Sequence, residues 1–189
     1  MAHQVAFDVV LGAWIVGEWR VRLRSHFTRS GSRRDRGSLL VVVAGIFAGL
    51  AGGFALAANV PTAAMGDARR PFFVVGLVLM AAGIALRQWA VALLGRFFTI
   101  DVRVHPDQTV VDRGPYRWVR HPAYTGMIMT LVGIGLALGN WASLAVLAVL
   151  PTAGLVVRIH FEERALLEGL GEPYRRYAAG RPRLLPRVW

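Results

Sequence analysis

Residues 114–126 read Gly-Pro-Tyr-Arg-Trp-Val-Arg-His-Pro-Ala-Tyr-Thr-Gly and lie just before a long apolar segment. Such a dense aromatic and cationic cluster at a membrane boundary is costly to keep near lipid unless it binds something. The next apolar run ends at Glu162-Glu163-Arg164, and Gly171-Glu172-Pro173-Tyr174 and Tyr177 follow. Two clusters at the open ends of one apolar hairpin meet at the same membrane face, which predicts a site there.

Composition places the chain in a membrane. Of its 189 residues, 55% are hydrophobic and 17% are charged, and the mean hydropathy is +0.47. The apolar residues come in blocks rather than at amphipathic spacing, which favours membrane helices over a soluble core. The chain has no Cys, so disulfides and thiolate metal sites are excluded.

The charge is strongly basic. The chain contains 22 Arg and no Lys. With 11 acidic residues, its formal net charge is +11. The arginines cluster between apolar blocks, which favours anionic lipid headgroups as their partners rather than nucleic acid.

We expect five helical segments. They run from about Val5 to Trp19, Ser38 to Ala58, Pro71 to Leu94, Pro122 to Leu138 and Trp141 to Glu168. Gly139-Asn140 is a turn signal, so the last two form a tight antiparallel hairpin. The sequence therefore predicts an all-α membrane protein with about five transmembrane helices, although the fourth segment is short for a full span.

Arginine placement predicts the orientation in the membrane. The loop after the first segment is rich in arginine and should be cytoplasmic; it contains Arg20, Arg22, Arg24, Arg29, Arg33, Arg34 and Arg36. The short connection from Asn59 to Arg70 would then be external. Five crossings place the N-terminus outside and both polar clusters on the cytoplasmic side. We divide the chain into N-terminal helices with their arginine-rich loop, 1–70, and a core, 71–189.

Glycines in the apolar segments predict close helix packing of the small-xxx-small kind. Gly45, Gly49, Gly52 and Gly53 lie within one uninterrupted apolar run without the Lys of a nucleotide-binding loop. Such faces can pack within one chain or between chains, so the oligomeric state stays open.

Arg87 interrupts the third apolar segment. An arginine inside a membrane costs several kcal/mol, so it commonly faces a cavity and pairs with an anion. The carboxylate or phosphate of a substrate would be a natural partner. The alternative is that Arg87 extends to the nearby interface.

His121-Pro122 opens the fourth segment, with Pro at the favoured first helical position. A helix N-terminus suits a carboxylate, and Tyr116 and Tyr124 can offer aromatic faces to a cation. Because Glu162 and Glu163 are adjacent, one can point into the site while the other pairs with Arg158 or caps a neighbour. The histidines and glutamates lack compact metal-ligand spacing, so we expect no metal.

At these residues the chain resembles the isoprenylcysteine carboxyl methyltransferase family and its phospholipid N-methyltransferase relatives. The shared features are the Gly114 to Gly126 stretch, Glu162-Glu163, the Gly171 to Tyr177 stretch and the closing Arg183-Leu184-Leu185-Pro186. The resemblance covers roughly Ala85 to Pro186, while the first two segments match only as apolar helices.

The resemblance implies a membrane-embedded enzyme that uses S-adenosylmethionine to methylate a lipophilic or small-molecule acceptor, with a carboxylate favoured. The cofactor-binding residues that it implies are Tyr116, Arg120, His121, Pro122, Tyr124, Gly126 and Glu162. It implies Arg87 as the residue that serves the acceptor's reacting group, and Glu163 is a candidate base. The cofactor would bind at the cytoplasmic face.

Two other functions stay open. Sterol and steroid reductases carry a similar His-Pro-Asn-Tyr stretch and use NADPH, but Ala123 replaces the Asn here, and Met127 follows Gly126 where an acid is common. A non-catalytic membrane protein that binds lipid is the second alternative, and retention of both polar clusters disfavours it.

Overall fold

The computed structural model describes residues 1–27, 32–33, 37–100, 103–105, 107–185 and 189, and most of them are helical. These described residues form six α-helices in chain order: α1 Ala2–Phe27, α2 Ser38–Asn59, α3 Arg69–Leu94, α4 Pro122–Leu138, α5 Trp141–Leu170 and α6 Glu172–Ala179. Short β1 Ser32–Arg33 pairs antiparallel with β2 Arg103–Val104. Arg29, Arg34, Arg36 and Pro186, which the sequence analysis singled out, lie outside the described residues.

The predicted all-α fold is confirmed, and α4 has the predicted bounds. In the part of the chain that the structure describes, three helical stretches are long and apolar enough to cross a membrane: Ser38–Asn59, Gly66–Phe97 and Trp141–Leu170. α4 is a shorter apolar helix of 17 residues. That α1 and α4 also cross the membrane, which would give five crossings, therefore stays a prediction.

α1 extends further than the sequence predicted. It continues from Trp19 to Phe27, through a segment that contains three arginines. Arginine is a good helix former, so the end of an apolar run marks a change of surroundings rather than the end of the helix. The prediction stopped too early because it followed hydropathy alone. The extension matters because the end of α1 lies against α3.

α3 and α4 cross at very short range through paired glycines. A Cβ added to Gly83 would lie 2.5 Å from the carbonyl oxygen of Gly126, and one on Gly133 would lie 2.7 Å from that of Gly76. α2 and α5 meet in the same way: a Cβ on Gly45 would lie 2.7 Å from the carbonyl oxygen of Leu150. The predicted close packing of glycine faces is confirmed, and it occurs within one chain.

The hairpin turn between α4 and α5 lies beside the connection from α2 to α3. Gly139 has a φ of 68° and accepts a hydrogen bond from the amide of Met65 (2.9 Å). Asn140 caps α5 by accepting a hydrogen bond from the amide of Ser143 (3.0 Å), and its side chain donates to Val60 O (2.9 Å). The predicted tight hairpin is confirmed, and both connections lie at the end of the bundle opposite the start of α4.

Candidate functional site

A cavity of about 880 Å³, including its open mouth, lies where α4 begins and α5 ends. Its walls are mainly aromatic and apolar, with a few polar groups between them. The lining includes Phe97, Phe98, Tyr116, Arg120, His121, Ala123, Tyr124, Arg158, Glu162, Leu166, Leu170, Tyr174 and Tyr177. Mainly apolar walls with a small number of polar groups are common in ligand sites.

The C-terminal tail closes against the start of α4. The amides of Arg120 and His121 each donate a hydrogen bond to a tail carbonyl, those of Pro182 and Arg183, at 2.9 Å. Thr125 Oγ1 donates to Leu184 O at 2.8 Å. The backbone amides of Arg120 and His121 are therefore used by the tail.

Glu162 belongs to a chain of hydrogen bonds on the cavity wall. The hydroxyl of Tyr124 donates to Glu162 Oε2 at 2.6 Å, and Arg158 Nε donates to the same hydroxyl at 2.9 Å. Arg158 also donates to Ile100 O and, at 3.3 Å, to Ser38 Oγ. The guanidinium thus fixes the Tyr124 ring, and the ring fixes the Glu162 carboxylate.

Glu163 points away from the cavity into a cluster of cations. Its Oε1 lies 2.7 Å from Arg120 Nη1 and 3.2 Å from His121 Nε2, and its Oε2 accepts from Arg183 Nε at 2.9 Å. Only 7% of Glu163 is exposed. The two glutamates therefore divide as expected, although the partners of Glu163 are Arg120 and Arg183 rather than Arg158.

The tyrosine hydroxyls beside the cavity stay protonated at neutral pH. Burial raises the pKa of Tyr177 to about 12, although Arg181 and Arg120 lower it. Burial also raises the pKa of Tyr116 and of Tyr174 well above the usual value. Tyr177 donates to Tyr116 O at 2.9 Å, so these rings are held as neutral donors and apolar faces.

Arg87 lies behind the cavity wall rather than in it. Its Nη1 donates to Ala123 O at 3.2 Å, and Ala123 lines the cavity. Its Nε and Nη2 donate to the two carboxylate oxygens of Glu18, the second at 2.9 Å. The side chain of Arg87 is 7% exposed, so it does not extend to the interface. Its partner in this state is a protein carboxylate.

Five of the nine predicted site residues line the cavity: Tyr116, Arg120, His121, Tyr124 and Glu162. Pro122 is buried in the first turn of α4, and Gly126 lies at the crossing with α3, where an added Cβ would meet the backbone nitrogen of Arg87 at 2.8 Å. Neither Pro122 nor Gly126 lines the cavity. Both instead fix how α4 enters the bundle beside the site.

Sequence reasoning placed the C-terminal tail beside the cofactor but did not assign a role to Glu18. Glu18 is an acidic residue in an apolar helix, and that signal alone marks it as a partner for a buried cation. Helix α6 was also missed, although Glu172 in its first turn and Pro173 at its start are typical of a helix N-terminus.

Comparison with known proteins points in one direction. A sequence profile of the Isoprenylcysteine carboxyl methyltransferase (ICMT) family matches residues 74–168, half of the chain. Protein-S-isoprenylcysteine O-methyltransferase B of Arabidopsis thaliana is 34% identical over 115 residues, which are 60% of this chain and 58% of that protein. A probable protein-S-isoprenylcysteine O-methyltransferase of Oryza sativa subsp. japonica is 34% identical over 106 residues, which are 55% of this chain and 56% of that protein.

Among solved structures, the chain is similar in fold to the eukaryotic intramembrane Ras methyltransferase ICMT. The match has a TM-score of 0.63 at 22% identity and covers 77% of this chain and 52% of that one. The chain thus spans about half the length of the curated relatives that it matches. Its apolar helices and these relatives make it an integral membrane protein. Because the family profile covers half of its residues, the chain belongs to the isoprenylcysteine carboxyl methyltransferase family.

Proposed function

We propose that this chain is a membrane methyltransferase that uses S-adenosylmethionine and methylates the carboxylate of a lipophilic acceptor. The observation that carries the proposal is the arrangement around Ala123, which has the cavity on one side and buried Arg87 on the other. The related proteins named as protein-S-isoprenylcysteine O-methyltransferases support a carboxylate as the acceptor group.

The residues of the cavity fit the cofactor. S-adenosylmethionine carries an ammonium, a carboxylate, a sulfonium cation and an adenine ring. The carboxylate of Glu162 suits the ammonium, and the rings of Tyr116, Tyr124 and Tyr174 suit the sulfonium and the adenine. Arg120 Nε is buried without a hydrogen-bond partner among the described residues, so it is a donor available to the cofactor carboxylate.

The protein's part in the reaction is to position groups and to exclude water. When bound, S-adenosylmethionine supplies a methyl group that the sulfonium already activates. Arg87 orients the acceptor carboxylate, because a guanidinium binds a carboxylate in a fixed bidentate geometry. A carboxylate needs no base, so Glu163 has no proton to remove from it and instead ties α5 to Arg120 and the tail.

The orientation and the division of the chain belong to the same proposal. The site end lies at the cytoplasmic face with the N-terminus outside, since arginine-rich loops remain in the cytoplasm. The cofactor enters from the cytosol, and the acceptor enters sideways from the bilayer. Residues 71–189 form the catalytic core, and residues 1–70 complete it, since α2 packs on α5 and α1 carries the partner of Arg87.

Calorimetry on detergent-solubilised protein tests the cofactor. We expect wild type to bind S-adenosylmethionine and not NADPH, and Glu162→Gln to bind about tenfold more weakly or worse, because a charge-assisted hydrogen bond contributes about 1.5–3 kcal/mol. Glu172→Gln is the control, because the side chain of Glu172 is 59% exposed and its ion pairs within the described part of the chain are with neighbours on its own helix. NADPH binding would move the protein to the reductase class, and binding of neither ligand would overturn the proposal.

A further inference from the structure

Arg87 holds a carboxylate before any acceptor arrives. Three of the five N–H donors of its guanidinium have protein partners: Nε and Nη2 contact Glu18, and Nη1 contacts Ala123 O. At most two N–H groups therefore remain for another ligand. The bidentate geometry at Glu18 is the one that an acceptor carboxylate would adopt on a guanidinium.

The pair has a physical reason in the absence of acceptor. The side chain of Arg87 is 7% exposed and sits inside an apolar helix, where an unpaired cation is costly. Glu18 removes that cost by supplying the counter-charge from α1. The side chain of Glu18 is itself 29% exposed, so it keeps contact with solvent on one side.

The same pair opposes an anionic acceptor. With Glu18 in place, the Arg87 region has no net positive charge, and a second carboxylate there would face the first at close range. Two carboxylates that share one site repel each other strongly. An acceptor carboxylate can bind bidentately only if Glu18 leaves.

We propose that Glu18 is a positioning residue that sets acceptor specificity by competing with the acceptor carboxylate for Arg87. This inference rests on the proposed function of Arg87 as the carboxylate-binding group. Only molecules in which Glu18 has released Arg87 can bind the acceptor carboxylate. The apparent Kd for the acceptor is therefore the Kd of this open form divided by the fraction of molecules that are open. Acceptors with enough apolar binding energy to displace Glu18 are selected over small free carboxylates.

α1 also supplies a hydrogen-bond donor one turn from Glu18. Trp14, one turn before Glu18, is 8% exposed, and its indole N–H has no hydrogen-bond partner among the described residues. In the bound state this N–H would donate a hydrogen bond to an oxygen of the acceptor.

Binding of a lipophilic carboxylate to the full chain tests the inference. The probe is N-acetyl-S-farnesylcysteine, and its methyl ester serves as the uncharged counterpart. We expect Glu18→Gln to bind the carboxylate about tenfold more tightly, with a matching fall in KM and little change in kcat, because the competing charge is gone. Affinity for the ester should not change. Asp8→Asn is the matched control, because Asp8 is another acid on α1 and contacts only Gln4 among the described residues.

Two results would overturn the inference. The first is an unchanged or weaker affinity of Glu18→Gln for the carboxylate, which would make the pair purely structural. The second is a fall in kcat at constant KM, which would show that Glu18 acts in the reaction step rather than by competition for Arg87. Glu18→Asp, which keeps the charge but retracts it by one methylene, covers the case in which Glu18→Gln does not fold. The affinity for the acceptor is measured without cofactor. A failure to bind S-adenosylmethionine would therefore contradict the proposed function without deciding the role of Glu18.

Discussion

The Tyr124 hydroxyl lies 2.6 Å from Glu162 Oε2. This hydrogen bond joins the first turn of α4 to the C-terminal part of α5. The same ring stacks on His121, with centroids 5.6 Å apart and planes inclined by 14°. One side chain therefore orders both the carboxylate and the imidazole that line the cavity, although these belong to different parts of the sequence.

Removing the Tyr124 hydroxyl should weaken cofactor binding without removing the site. Tyr124→Phe keeps the stacked ring but leaves Glu162 and Arg158 without the oxygen that joins them. We expect the Kd for S-adenosylmethionine to rise about tenfold, which corresponds to about 1.4 kcal/mol, close to the lower end of the range for a hydrogen bond to a charged group. Calorimetry measures this, and an unchanged Kd would show that the position of Glu162 does not depend on Tyr124.

Glu163 should matter for stability more than the exposed Glu172 does. Glu163→Ala leaves Arg120 and Arg183 facing each other without their shared carboxylate. Removing one partner of a buried ion pair typically costs about 3–5 kcal/mol. We expect a clear fall in the apparent Tm in detergent, against almost none for Glu172→Ala, whose pairs are exposed. An equal Tm for the two variants would contradict a stabilising role for the ion pairs of Glu163.

The glycine crossing of α3 and α4 should not tolerate a methyl group. A Cβ at position 126 would lie 2.5 Å from Gly83 O, and backbone atoms cannot move aside as a flexible side chain can. We expect Gly126→Ala to lose about 1–3 kcal/mol of stability through overpacking. Gly12→Ala is the matched control, since a Cβ there meets nothing within 4 Å. It should instead gain up to about 1 kcal/mol from helix propensity. Thermal unfolding compares the two.

Alkaline pH should destabilise the protein through its buried phenols. Burial raises the pKa of Tyr177 to about 12, so the folded state holds this proton more tightly than the unfolded state does. The contribution of Tyr177 to the free energy of unfolding is complete below pH 10, the usual pKa of tyrosine, and is lost as the pH rises to about 12. We expect absorbance at the phenolate band to show Tyr177 still protonated at pH 10, by difference against Tyr177→Phe. Titration of Tyr177 with a pKa near 10 would show instead that its hydroxyl is exposed to solvent.

The absence of cysteine makes the orientation directly testable. Single cysteines at Thr62, between α2 and α3, and at Trp118, which is 61% exposed near the cavity, report the two ends of the bundle. We expect a membrane-impermeant maleimide to label Thr62→Cys in intact cells and Trp118→Cys only after lysis. The reverse pattern would place the site outside.

Much of the fold could be predicted because it depends on local and compositional signals. Apolar blocks of helical length gave α2, α3 and α5, and Pro122 and Gly139 marked the ends of α4. The glycine faces predicted close packing, since any larger residue would hold the backbones apart. The site could be predicted in part because its polar residues stand out at the ends of apolar helices.

The partners of the charged residues could not be predicted in the same way. Glu18 and Arg87 are 69 residues apart, and Glu163 meets Arg183 only where the tail folds back. The sequence by itself determined the apolar helices α2 to α5, their close packing, the hairpin and the family of the chain. Only the tertiary structure decided which carboxylate faces the cavity, which one neutralises its neighbours and which one holds Arg87. The reason is that pairing of charges depends on distances across helices, and hydropathy and spacing within one helix do not carry that information.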